Sequence, residues 1–275
     1  MKIGSHLSVA KGYKKMGDMA VEIGANTFQF FTRNPRGTKA KALDFKDIEK
    51  LESIMKKNDI SDIVAHAPYI LNLASHKEDT FEIAIRVLKE DLIRMSETPA
   101  GYIVLHPGNH LKKGPEYGIK RISEGLNNVL DEKEEVMILL ETMSGKGTEM
   151  GRNFEEIREI INYTEYSDNL GVCLDTCHIY SAGYDIVNNL EGVLDEFDTI
   201  IGLDRLKVIH LNDSMTEFNS NKDRHQKIGD GSLGFETFVN IINNQRLKDK
   251  IFILETPNEL SGYRREIEMI RNAKK

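Results

Sequence analysis

Imidazoles and carboxylates recur at the C-terminal ends of short apolar runs along this chain. His66 closes DIVAH, His106 closes YIVLH, Glu141 closes VMILLE and Asp175 closes LGVCLD. His210 sits in LKVIHL, and Glu255 closes IFILE. His178 follows Asp175 by three residues, in DTCH. Neutral imidazole and carboxylate are ligands that suit zinc, manganese and iron. Carboxylates packed together without a cation repel one another and rise in pKa, and divalent ions remove that penalty. A lone histidine at a strand end is more often structural than chemical. Six consecutive runs ending this way point instead to a metal cluster. Asp223 and His225 belong to the polar loop that follows His210. In an extended segment, residues two apart point the same way, so this pair can grip one ion together.

The elements that must position these groups alternate between two patterns. Strand candidates are 2–8, 27–31, 62–66, 102–106, 136–141, 170–175, 206–211 and 251–255. They are short, continuous and rich in Val, Ile, Leu and Phe, as in strands covered on both faces of a parallel sheet. Amphipathic helical stretches lie between them, among them 45–57, 78–96, 116–130, 153–161 and 235–242. The pattern predicts an α/β fold, a single (β/α)8 barrel domain over residues 1–275 with its active site at the C-terminal face of the strands. An open doubly wound sheet wants a glycine-rich loop after its first strand, whereas Ser5-His6-Leu7-Ser8 stands there.

Other features bound the reading. The start, MKIGSHLSVAKG, has no apolar stretch of a secretory signal, and no apolar run approaches the length of a membrane span. Two cysteines, Cys173 and Cys177, form no disulfide framework, so a reducing cytoplasm is the expected setting. They read as small apolar residues, since a CxxxC zinc half-site has no second pair to complete it. Gly229–Gly234 matches GxGxxG but does not open the first strand–helix unit, and a tight turn into the next helix accounts for it better than a dinucleotide site. That helix start remains able to receive a phosphate. The segment 144–148, SGKGT, lacks the spacing of a phosphate loop. A net charge of −7 by itself argues against a nucleic-acid partner.

The motifs HAPYILNLAS, LHPGNH, LLET, GVCLDTCHIYSAGYD, HLNDS, DRHQKIGDGSLG and LETP, in this order along nearly the whole chain, resemble endonuclease IV, the metal-dependent apurinic/apyrimidinic endonucleases. The resemblance implies a (β/α)8 barrel holding three zinc ions, with manganese or iron possible at one or more sites. His66 and His106 would bind the first ion, and Glu141 would bridge it to the second, as the catalytic carboxylate. Asp175, His210 and Glu255 would complete the second; His178, Asp223 and His225 would hold the third. Every ligand position of the family pattern carries the expected residue type. The implied reaction is hydrolysis of the phosphodiester 5′ to an abasic site in duplex DNA, leaving a 3′-hydroxyl and a 5′-deoxyribose phosphate. Metal-bound hydroxide would be the nucleophile, and the third ion would stabilise the leaving oxygen. Trimming of blocked 3′ ends would accompany it, by a monomer in the cytoplasm.

Thr32-Arg33-Asn34-Pro35-Arg36 resembles the family's DNA-reading loop, with Arg36 entering the minor groove and Tyr69 near the flipped-out nucleotide. Members of the family often carry a tryptophan shortly after this arginine; here Thr38 stands there and the chain has none. Three divalent ions would add six positive charges, taking −7 to about −1. His6, His76 and His110 have no assigned role beyond support or surface positions. Two alternatives stay open: a metal-dependent sugar isomerase or epimerase on a similar barrel, and a damaged-DNA binder without catalysis. An isomerase would need fewer metals and neither the DRH pair nor the loop arginines.

Overall fold

The computed structural model describes residues 1–275. Eight parallel strands close into a barrel in the order β1 (Lys2–Leu7), β2 (Gln29–Phe31), β3 (Val64–His66), β4 (Tyr102–Leu105), β5 (Met137–Glu141), β6 (Leu170–Asp175), β7 (Leu206–His210) and β10 (Ile251–Leu254), with β10 returning to β1. Around them lie α1 (Tyr13–Glu22), α2 (Phe45–Lys57), α3 (Glu78–Ser96), α4 (Pro115–Val129), α5 (Phe154–Tyr163), α6 (Thr176–Ala182), α7 (Leu190–Ile200), α8 (Phe235–Asn243) and α9 (Leu260–Asn272). This is the expected (β/α)8 barrel. One connection, from β6 to β7, carries two helices, and a small antiparallel pair, β8 (Asp213–Ser214) with β9 (His225–Gln226), sits above β7.

The strands are apolar on both sides because both sides are buried. Outward residues such as Phe28, Phe30, Ile103 and Ile209 pack against the helices in the large core. Inward residues Val64, Val104, Leu139, Cys173, Val208, Ile251 and Ile253 form a separate apolar plug inside the barrel. Burying a Val, Leu or Ile side chain stabilises by about 1.5–3 kcal/mol, so the plug contributes on the order of 10 kcal/mol gross. Side chains alternate along a strand. The residue two beyond a plug residue therefore also faces the interior, one layer nearer the C-terminal mouth. Val64 leads to His66, Val104 to His106, Leu139 to Glu141, Cys173 to Asp175, Val208 to His210 and Ile253 to Glu255.

The hydrogen-bonded strands are shorter than their apolar runs. β2 begins at Gln29 and β3 at Val64, and His106 and Glu255 lie one residue past β4 and β10. Ladder pairing, not hydrophobicity, sets these limits. The pairing of β2 with β3, for example, starts at Gln29 and Val64. Between β6 and β7 the register shifts at Val172/Cys173, which sets Asp175 directly beside His210. Asp175 also caps α6, accepting the His178 N–H at 2.9 Å. A cap of this kind contributes about 1 kcal/mol, and here it also turns His178 back toward the mouth. No helix is long and apolar enough to cross a membrane.

Candidate metal centre

Nine imidazole and carboxylate side chains converge over the plug in three overlapping groups. They are His66, His106 and Glu141; Glu141, Asp175, His210 and Glu255; and His178, Asp223 and His225, while Cys177 makes a further group with Asp175 and His225 that links the second to the third. Within each group the prospective ligand atoms lie within 4.8 Å of one another. Glu141 belongs to two groups because its oxygens diverge. Its Oε2 is 3.3 Å from His66 Nε2 and 3.1 Å from His106 Nε2, while Oε1 is 3.3 Å from His210 Nδ1. His225 Nε2 lies 3.6 Å from Asp175 Oδ2 and 3.4 Å from Asp223 Oδ1, so the third group abuts the second. The strand ends supply the first two groups. The third draws on the first turn of α6 and on the segment entering β9. Glu141, Asp175, His66, His178 and His210 are buried, whereas the Asp223 side chain is 39% exposed and those of His106 and His225 are partly exposed.

Four of the five imidazoles, His106 excepted, are held with one nitrogen toward an acceptor and the other toward carboxylates. His66 Nδ1 meets the Ala67 carbonyl at 2.7 Å, and His178 Nδ1 meets the Thr142 carbonyl at 2.9 Å. His225 Nδ1 lies 3.3 Å from the Glu255 carbonyl, and His210 Nε2 lies 2.8 Å from Gln29 Oε1. A carbonyl oxygen only accepts, so these nitrogens carry the protons. The opposite nitrogens then carry lone pairs. Those of His178, His210 and His225 are shielded from solvent and have no hydrogen-bond partner. They stand 3.2–3.6 Å from carboxylate oxygens, lone pair against lone pair. A proton on each nitrogen or a cation between the groups resolves the conflict, and the N/O donor set suits zinc, manganese or iron. The residues present thus fit divalent ions.

The electrostatics point the same way. Burial would push His178 and His210 down. The Asp175, Asp223 and Glu141 carboxylates instead hold His178 well above the ordinary histidine range, and Cys173, Glu255 and Glu141 do the same for His210. Burial would push Glu141 up, yet His106 and His210 hold it well below the usual carboxylate range. Burial likewise opposes Asp223, which His178 and His225 bring down to about 2. The cavity favours positive charge at its centre.

Several supporting groups carry no signal in ligand spacing. Asn212 donates to Asp175 Oδ2 at 2.7 Å and accepts the Glu255 N–H at 2.9 Å. Thr142 accepts the Asp175 N–H at 3.0 Å. Gln29 stands between His210 and Glu255, and its one clue is an amide inside the apolar run TFQFF. Of the histidines left without a role, His6 reaches the site, with Nδ1 3.1 Å from Glu255 Oε1. His110 accepts the Gly114 N–H at 3.0 Å, and His76 is exposed. Cys173 and Cys177 are buried free thiols, pushed by burial up to about 12 and about 11.

The loop after β2 divides its two arginines. Arg36 is exposed, but Arg33 is buried, so of the two arginines in this loop only Arg36 lies at the surface. Its guanidinium donates to Asp91 Oδ1 at 2.6 Å through Nη2 and at 3.0 Å through Nε. Tyr69 is half-exposed, its ring 4.9 Å from Phe31, 5.4 Å from His66 and 5.1 Å from His106. It covers the first ligand group. A cleft of about 990 Å³ runs beside it between the connections after β1 and β2, lined by His6, Lys11, Asn34, Lys39 and Arg94 among others. The GDGSLG turn folds around the Asp213 carboxylate, which accepts from the N–H groups of Gly229, Gly231, Leu233 and Ser214. A Cβ on Gly231 would collide with the Ser214 carbonyl oxygen, which explains that glycine. The nest of the turn is thus filled from within the chain, by N–H groups that precede the first residue of α8.

A family described as a xylose isomerase-like TIM barrel matches residues 18–273. The probable endonuclease 4 of Clostridium beijerinckii is 56% identical over 99% of this chain and 98% of its own length. Among solved structures, endonuclease IV from Thermus thermophilus superposes with a TM-score of 0.87 at 32% identity, covering 99% of this chain and 98% of that one. A D-tagatose 3-epimerase-like protein shares the fold, with a TM-score of 0.73 at 21% identity over 99% of this chain and 97% of that one.

Proposed function

This chain belongs to the endonuclease IV family, and on that premise we propose that it hydrolyses the phosphodiester 5′ to an abasic site in duplex DNA with three bound divalent ions, zinc by preference. The whole of 1–275 would act as one domain and as a monomer in the cytoplasm. Blocked 3′ ends would be a second substrate, since removing them is hydrolysis of the same ester. The observation that carries the reading is the third ligand group. His178, Asp223 and His225 stand beside the pair of groups that share Glu141, giving room for three ions where sugar isomerisation needs one or two. Bound ions would supply a nucleophile near neutral pH and offset charge on both oxygens of an in-line displacement.

The chain's own residues set the stage for that chemistry. Glu141 offers one oxygen to each of two groups and so fixes their separation. The exposed side of the third group, at Asp223 and His225, faces incoming substrate. Arg36 would enter the minor groove, and Tyr69 would pack on the extrahelical sugar beside His106. An abasic nucleotide has no base to unstack, so extruding it costs little.

Incubation with a duplex carrying one abasic analogue tests the proposal. A single nick 5′ to the lesion is expected, lost on metal stripping and regained on reloading. Intact duplex with three ions bound per chain would refute it. A count of one or two ions together with epimerase activity would favour the sugar-enzyme reading.

A further inference from the structure

We propose that Gln29 is a positioning residue of the metal centre, whose amide selects which nitrogen of His210 and which oxygen of Glu255 face the ions. The inference rests on the metal centre proposed above. Gln29 is fully buried at the start of β2, paired with His6 on β1 and Val64 on β3. Its Oε1 lies 2.8 Å from His210 Nε2, and its Nε2 lies 2.7 Å from Glu255 Oε1 and 3.0 Å from His6 Nδ1.

Charge decides the orientation of this amide. An ionised carboxylate only accepts, so the NH2 end must face Glu255. The carbonyl end then faces His210, which must hold its proton on Nε2. His210 Nδ1 is left bare, buried and unpartnered, 3.2 Å from Glu255 Oε2 and 3.3 Å from Glu141 Oε1. The same amide occupies Glu255 Oε1, so Oε2 alone is free for an ion. A flipped amide would set two acceptor oxygens against each other and push the His210 proton into the cluster.

His210 differs in this from its neighbours. His66, His178 and His225 find their outer acceptor in the main-chain carbonyls of Ala67, Thr142 and Glu255, which no substitution removes. Only His210 takes it from a side chain, on a strand 181 residues away in sequence. Outer partners of ligating histidines are worth about 10–100-fold in metal affinity.

Gln29→Leu keeps the bulk and removes both bonds. Cobalt(II) titration of the metal-stripped protein, followed by visible absorption and chelator competition, should show one site per chain weakened by about 10–100-fold, with altered ligand-field bands. Nitrogen NMR of the zinc-loaded wild-type should find His210 protonated at Nε2. Cobalt affinity and bands in Gln29→Leu equal to wild-type would overturn the role of Gln29 alone, as would a wild-type His210 protonated at Nδ1. If Gln29→Leu does not fold, Gln29→Glu, which retains the acceptor but opposes Glu255, serves instead, and unchanged cobalt affinity there overturns the proposal. Failure of wild-type to bind cobalt would sink the metal centre and this inference together.

Discussion

The mouth of the barrel and the loop after β2 lie side by side but hold their charges by opposite means. At the mouth, buried imidazoles leave their inner nitrogens unpaired, and Glu141 and Asp175 are aimed by strand ends and a helix cap. In the loop, the buried charge is closed on itself. Arg33 is locked by Asp91 on α3, Thr32 donates to the same carboxylate at 2.6 Å, and Arg33 also donates to the Thr38 and Val87 carbonyls. Burial keeps the Asp91 carboxyl above its ordinary range despite the guanidinium and the Thr32 hydroxyl, a measure of what desolvating this pair costs. An incomplete constellation is a site for a ligand; a complete one is an anchor. The anchor leaves Arg36 exposed at the tip, where it is free to meet a partner.

That contrast predicts different failures in the two regions. Glu141→Gln removes the charge shared by two ligand groups and should cut nicking by about a thousandfold, several kcal/mol of lost charge stabilisation, with metal content reduced. Near-normal turnover in this variant would show that the two groups do not depend on Glu141. Asp91→Asn should leave the buried Arg33 guanidinium with only the more exposed Glu90 carboxylate, 3.3 Å away, and lower unfolding free energy by about 3 kcal/mol in a denaturant titration, while the number of bound ions stays unchanged. A simultaneous loss of metal would mean that loop and mouth are one mechanical unit. Arg36→Ala should be the mildest. It is expected to raise KM for an abasic duplex by about tenfold and to reduce the salt dependence of binding by roughly one phosphate contact, with kcat and thermal stability unaltered. An unchanged KM and salt slope would remove Arg36 from the DNA-facing surface.

The loop also shows where reading the sequence fails. Arg33 and Arg36 are equivalent as residue types three apart in a polar stretch, and nothing local says that one is buried. The buried fate of Arg33 depends on Asp91, which reads as one more acid on an amphipathic helix. Likewise the turn at Gly229–Gly234 looks like an anion cradle, and only folding reveals that Asp213 fills it. At the mouth, by contrast, the nine candidate ligands are legible as residue types at strand ends, in DTCH and in DRH.

What the sequence determined by itself is what local geometry transmits. Alternation along a strand places six of the nine candidate ligands two residues beyond an apolar plug residue, so type and position suffice to aim them inward. The eight-strand rhythm follows from the same local pattern. Tertiary structure decided everything that depends on pairs distant in the chain. These are the split of Glu141 between two groups, the tautomer of His210 set by Gln29, the approach of His6 to Glu255, and the withdrawal of Arg33. Hydrogen bonds and ion pairs act over about 3 Å and ignore separation along the chain, so their partners exist only once the barrel has closed.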